Sequence, residues 1–176
     1  MYSIIDIETT GNSALNGGKI TEVAIYNHNG VEIIDSFSTL INPEINIPWY
    51  ITNLTGIDNS MVADAPKFYQ VAKKIVEMTA GNIFVAHNVN FDYQFIKQEF
   101  KSLGYEYNRN KLCTVQLSRK IIPGHRSYSL GKLCDDLNIK IDGRHRAAGD
   151  ALATVQLFEL LMKTKNESEP NLFSSI

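Results

Sequence analysis

Three short stretches of this chain carry side chains that could do chemistry together. The first is Asp6-Ile-Glu8, two carboxylates two residues apart inside the apolar run Tyr2-Ser-Ile-Ile-Asp-Ile-Glu8. On a strand, residues i and i+2 point to the same face. Both acids would then project side by side from what reads as a buried central strand. Leaving two anions unpaired there costs several kcal/mol each. A divalent cation would offset that cost, and so would an exposed strand end with Lys or Arg partners. Thr9-Thr10-Gly11 follows directly. Its N–H groups and hydroxyls could approach a substrate terminus, with Gly11 permitting close backbone contact, or it is simply the strand's exit.

The second stretch is His87-Asn88-Val89-Asn90-Phe91-Asp92, where a short apolar strand gives way to a helix. Ligand sites in sheet proteins often occupy strand ends. Asp92 falls in the first helical turn, which favours a carboxylate through the helix dipole. Helix capping by Asp92 and loop hydrogen bonding by His87 and Asn88 would explain the same residues. The third stretch is His145-Arg-Ala-Ala-Gly-Asp150. Asp150 opens a long helix and His145 precedes it in a loop, which suits a base beside a metal better than a helix-borne pair of ligands. A surface histidine and a helix-start acid are the plainer alternative.

Jointly, four carboxylates and one histidine match what two-metal phosphoryl chemistry needs. Two Mg²⁺ or Mn²⁺ ions roughly 3.5–4 Å apart clamp the attacking and leaving oxygens. Hard oxygen donors suit those ions, and an imidazole can take a proton from water near neutral pH.

The elements that must position these residues follow from periodicity and turn chemistry. Strands are expected at Tyr2–Glu8, Lys19–Tyr26 and Val31–Ile41, the last two joined by a hairpin at Asn27-His-Asn-Gly30. Further strands are expected at Asn82–Ala86 and Lys111–Thr114. Helices are expected at Pro48–Leu54, Pro66–Met78, Phe91–Leu103, Val115–Ile121, Leu130–Leu137 and Ala147–Met162, with a polar stretch from Lys163 onward. Three early strands followed by alternating strands and helices imply an α/β fold. It would hold a mixed sheet, with a three-strand antiparallel meander first, flanked by helices.

At 176 residues one domain is expected. No window holds the ~20 apolar residues of a membrane span. The N-terminus lacks the features of a signal peptide. Cys113 and Cys134 show no metal-ligand spacing. The expectation is a cytoplasmic protein without a membrane partner. The net charge of −2 argues against coating long duplex. Residues 119–146 nevertheless hold seven Lys/Arg against three acids, a basic rim that would suit a phosphodiester enzyme, or a solvated face.

Asp6-Ile-Glu-Thr-Thr-Gly11, His87-Asn-x-x-Phe-Asp92 and His145-Arg-Ala-x-x-Asp150-Ala resemble the three motifs of the DEDDh exonuclease family, to which the proofreading epsilon subunit of bacterial DNA polymerase III is similar. The resemblance implies a ribonuclease H-like fold with a five-stranded mixed sheet. It implies that Asp6, Glu8, Asp92 and Asp150 hold two divalent cations, Mg²⁺ or Mn²⁺, and that His145 activates water. Thr9, Thr10 and Gly11 would lie near the terminal nucleotide, Leu54 or Thr55 would wedge against its base, and Asn88 and Phe91 would line the same pocket. The implied activity is 3′→5′ release of nucleoside 5′-monophosphates from single-stranded DNA in replication proofreading or repair. Alternatives are an exoribonuclease or oligoribonuclease, and a catalytically silent nucleic-acid-binding recruitment module. A DNA polymerase or a sliding clamp is the suggested protein partner, and Glu169-Pro-Asn-Leu-Phe173 weakly resembles clamp-binding peptides. The expected division is an exonuclease domain over 1–163 and a polar tail or linker over 164–176.

Overall fold

A computed structural model describes residues 1–168. The chain runs β1 (Tyr2–Thr9), β2 (Ile20–His28), β3 (Ile33–Leu40), α1 (Trp49–Thr55), α2 (Asn59–Val62), α3 (Phe68–Thr79), β4 (Ile83–Ala86), α4 (Asn90–Ser102), β5 (Lys111–Cys113), α5 (Thr114–Ile121), α6 (Leu130–Asp136) and α7 (Ala147–Ser168). The five strands lie in the order β3-β2-β1-β4-β5. The first three are antiparallel, and β4 and β5 run parallel to β1. This is the α/β architecture expected, with a meander first and helices flanking the sheet. Among the described residues no helix is long and apolar enough to cross a membrane.

Several boundaries shift by one or two residues and the short helix α2 is not among those expected, but two differences have a clear local cause. The hairpin turn lies at residues 29–32, because the Asn29 side chain accepts the N–H groups of Val31 and Glu32 at 2.8 and 2.9 Å. That side-chain turn closes the hairpin two residues later than the Asn-Gly pattern suggests. Helix α7 also continues beyond Met162 to Ser168. Residues 163–168 hold no Gly or Pro, so nothing there stops a helix already nucleated. The clamp-like peptide Glu169–Phe173 lies outside the described residues.

Strand β1 is buried on both faces. Ile5 and Ile7 enter the main core with Val71 and Ile75 of α3 and Phe95, Ile96 and Phe100 of α4. Ile4 points the other way, onto Val155 and Phe158 of α7. By alternation Asp6 and Glu8 share the face of Ile4, the side that α7 covers. The parallel pairing Tyr2↔Ile83 to Ile4↔Val85 brings the carboxyl ends of β1 and β4 to one edge of the sheet. Asp6 and Glu8 lie beyond the last paired rung, beside the segment that leads into α4.

Helix α7 starts very close to the sheet, because the residues between are small. Ala24 of β2, Ala147 and Ala151 are all fully buried against one another. The loop before α7 folds back over its first turn. A Cβ on Gly149 would collide with the carbonyl oxygen of Asp142 and sit 2.5 Å from that of Gly143. Backbone atoms cannot yield as a flexible side chain can. Gly149→Ala is therefore expected to cost about 1–3 kcal/mol in urea denaturation. Gly11→Ala, where nothing lies within 4 Å of the added carbon, should change stability by under about 0.5 kcal/mol.

Candidate active site

Three of the expected acids meet at that sheet edge. One carboxylate oxygen each from Asp6, Glu8 and Asp150 lies within 4.8 Å of the others. Asp6 and Glu8 come from the same face of β1, and Asp150 from the first turn of α7. Asp92 opens α4 and is 3% exposed. It accepts the backbone N–H of Ile7 and its charge raises the pKa of Asp6. Asp6, Glu8 and Asp150 thus form one cluster from two distant stretches, and Asp92 from a third lies near enough to act on Asp6.

His145 sits at the rim, partly buried, with φ of 59°. A left-handed backbone at a non-glycine residue costs of order 1 kcal/mol or more. Two local bonds hold it: the His145 N–H donates to Asp150 Oδ2 at 3.1 Å, and the Arg146 N–H donates to the Gly143 carbonyl at 3.2 Å. The imidazole itself has no hydrogen-bond partner among the described residues, so it is free to meet water or substrate.

All four carboxyl groups are held above their ordinary range. Burial is the largest cause for each. Asp6 is raised well above its usual value, next by Asp92, Asp150 and Glu8. Glu8 is pushed up to about 8 by burial and then by Asp150 and Glu22. Asp92 also reaches about 8 by burial, against the lowering effect of its backbone hydrogen bonds. Asp150 is raised by burial, partly offset by the His145 N–H. Asp150 Oδ1 is buried without a partner. An orphaned carboxylate oxygen beside two more acids is what a hard divalent cation would satisfy, and Asp6, Glu8 and Asp150, with Asp92 alongside, fit one.

The residues expected near substrate divide into two groups. Gly11 and the backbone of Thr10 line a groove of about 260 Å³ that continues to Ile45, Pro48 and Tyr50. The Thr9 hydroxyl donates to the Gly11 carbonyl at 2.7 Å, and Thr10 Oγ1 accepts the Lys19 N–H at 3.0 Å. Both hydroxyls thus shape the loop. Leu54 is 54% exposed on α1, whereas Thr55 is buried and its hydroxyl bonds Ile51 O and Ile57 N. Only Leu54 of that pair faces solvent. Asn88 is exposed with φ of 70°, and Phe91 packs on Phe95 with ring centroids 5.0 Å apart. His87 is committed elsewhere. Its Nε2 donates to the Tyr128 carbonyl at 2.8 Å, which leaves Nδ1 to accept from the Thr114 hydroxyl at 2.9 Å. Burial lowers its pKa, in keeping with a neutral ring.

Sequence reasoning missed Glu22. It pairs across the strands with Glu8, is 4% exposed, and would be one more buried anion. Arg146 Nε and Nη2 donate to its two oxygens at 3.0 and 2.7 Å, and the Ala147 N–H donates at 2.8 Å. This fork ties the first turn of α7 to β2 and so sets where Asp150 and His145 stand. A lone acid in an apolar strand was the available signal. Its partner, Arg146, lies 124 residues away in sequence.

Two outcomes are expected. First, without divalent cations the protonated carboxyls bind more protons folded than unfolded, so stability falls as pH rises from about 4 toward about 8. Melting temperature without cation should drop across that window. Added Mg²⁺ or Mn²⁺ should raise it, most at the alkaline end, and Asp6→Asn should reduce both effects. Second, Arg146→Ala leaves Glu22 buried without its cation and should cost about 2 kcal/mol by urea denaturation, less than a fully buried pair because Arg146 is partly exposed.

Known proteins resemble this chain in sequence and in fold. A family model described as exonuclease matches residues 3–158. The chain is 40% identical over 166 residues to a PolC-type DNA polymerase III of Caldanaerobacter subterraneus subsp. tengcongensis, covering 94% of this chain and 12% of that protein. It is 39% identical over 173 residues to the 3′-5′ exonuclease DinG of Bacillus subtilis, covering 97% of this chain and 19% of that protein. The chain thus spans less than a fifth of the length of these relatives. Among solved structures, exonuclease X in complex with 5′ overhanging duplex DNA superposes with a TM-score of 0.77 at 28% identity, covering 94% of this chain and 93% of that one. Escherichia coli exonuclease I bound to a dT13 oligonucleotide superposes with a TM-score of 0.80 at 16% identity over 98% of this chain and 42% of that one, a likeness of fold. With its motifs gathered in one acidic pocket and the match running over nearly its whole length, the chain belongs to the exonuclease family.

Proposed function

We propose that residues 1–163 form a 3′→5′ exonuclease domain. It would release nucleoside 5′-monophosphates from single-stranded 3′ ends with the aid of two divalent cations, Mg²⁺ or Mn²⁺. The observation that carries this reading is the approach of Asp6, Glu8 and Asp150 within 4.8 Å, with Asp92 and His145 at the same pocket. In it Asp6, Glu8, Asp92 and Asp150 hold the cations. When bound, the cations supply Lewis-acid charge that offsets the carboxylates and stabilises the charge developing at the phosphate. His145 accepts a proton from the attacking water. The water oxygen forms a bond to phosphorus as the bond to the 3′-oxygen breaks, and the departing 3′-oxygen takes a proton from solvent water.

The terminal nucleotide is positioned by the backbone of Thr10 and Gly11 and by exposed Leu54, with Asn88 and Phe91 on the far side. Thr9 and Thr55 support this surface from beneath, since their hydroxyls are engaged within the loop and within α1. Gly11 has ordinary φ and open space around it, so the chain itself does not require glycine there. Room for a substrate backbone does.

DNA is the favoured substrate, because the curated relatives near 40% identity include a DNA polymerase. Replication proofreading or repair, beside a DNA polymerase or a sliding clamp, is the setting proposed. A silent recruitment module fits less well, since each residue type that turnover would need is present in the sequence.

The test is digestion of labelled single-stranded DNA, mismatched primer-template and RNA by the purified chain with Mg²⁺ or Mn²⁺. Mononucleotides should appear from the 3′ end, fastest from DNA, and EDTA should stop their release. Asp6→Asn and His145→Ala should each lower kcat by a factor of about 10² or more. Faster digestion of RNA would move the substrate to RNA. Intact nucleic acid in every reaction would end the proposal.

A further inference from the structure

A second groove runs from the turn between β4 and α4, whose Asn90 stands two residues before Asp92, along α5 to the loop before α6. It has a volume of about 540 Å³, within the range that takes a nucleotide-sized ligand. Asn88, Arg119, Arg126, Ser127, Tyr128 and Ser129 are among the residues that line it. No acidic side chain lines it. The groove is fixed to the site by His87, whose ring joins the end of β4 to Thr114 of α5 and to the Tyr128 carbonyl.

The basic stretch 119–146 is not uniformly available. Arg146 is consumed by Glu22. Arg119 and Arg126 are both exposed and, among the described residues, neither has an acidic partner. Arg119 lies over the Tyr128 ring, 5.4 Å from its centroid, which limits its freedom without neutralising it. Two unneutralised guanidinium groups in a polar groove that shares the turn leading to Asp92 contrast in sign with the acids. A strand whose scissile phosphate is met by the acids and their cations still carries phosphates on its 5′ side. Those would be repelled by the acidic cluster and held by the arginines.

We propose that the Arg119–Arg126 groove is a phosphate track for the single strand 5′ of the scissile bond. This rests on the exonuclease reading for its substrate, but the track is tested by binding alone. The probe is a short 5′-fluorescein-labelled oligothymidylate, followed by anisotropy with the full chain carrying Asp6→Asn in Mg²⁺, so that nothing is cleaved. Each phosphate contact to a single strand contributes about 0.7 to the slope of log affinity against log salt. Adding Arg119→Ala and Arg126→Ala should therefore make that slope shallower by about 1.4 and weaken binding roughly tenfold at about 50 mM salt. Arg119→Lys with Arg126→Lys should restore most of the slope, which a merely structural loss would not. In the otherwise wild-type chain, the double alanine variant should raise KM for the oligonucleotide. It should leave hydrolysis of thymidine 5′-monophosphate p-nitrophenyl ester unchanged, since that ester has no 5′-side phosphate to track.

An unchanged affinity and salt slope would overturn the proposal. Equal loss on the small ester would also overturn it, by placing the arginines within the chemistry of the acidic pocket. If the wild-type chain cleaves neither substrate, the exonuclease reading fails while the binding measurement still decides the groove.

Discussion

Four carboxyl groups crowded at one strand end repel one another, and every other feature of the site answers to that repulsion. Two unit charges less than 5 Å apart oppose each other by on the order of 3–4 kcal/mol at the effective dielectric of a protein. Burial adds to that cost, and it is the largest cause of the raised pKa of Asp6, Glu8, Asp92 and Asp150. The cluster is stable either by holding protons or by holding cations. A fold that keeps it must therefore force the acids together by interactions stronger than their mutual repulsion.

The sheet and helix α7 supply that force. Asp6 and Glu8 have no choice of position, because β1 is central and its other residues are locked into the core on both faces. Asp150 is held from the opposite side by a helix whose start is fixed three ways. Small alanines allow close approach, Gly149 admits the preceding loop, and the Glu22–Arg146 fork anchors the first turn to β2. The fork adds a fifth buried anion to the neighbourhood yet neutralises it locally. Glu22 thus stabilises the frame while Glu8, directly across from it, remains available.

The strained turn before α7 has the same origin. His145 holds a left-handed backbone because its N–H donates to Asp150 Oδ2 while the Arg146 N–H donates to the Gly143 carbonyl. The result is a ring with no hydrogen-bond partner among the described residues, beside an acid whose own Oδ1 is also unpaired. By contrast His87, which belongs to a motif of similar appearance, is bonded through both ring nitrogens. Two histidines of one chain are separated in role by what their neighbours leave open.

The sequence by itself determined the local chemistry. Alternation put Asp6 and Glu8 on one face, an apolar stripe followed by Gly104 marked α4, and the three motifs singled out the acids that meet. Those signals are local, since they depend on strand and helix periodicity within a few residues. Tertiary structure alone decided the strand order. It also decided which arginines stay unneutralised and that Glu22 opposes Glu8. Each of these is a pairing between residues far apart in the chain. Register and helix docking set such pairings, and no short stretch of sequence encodes them.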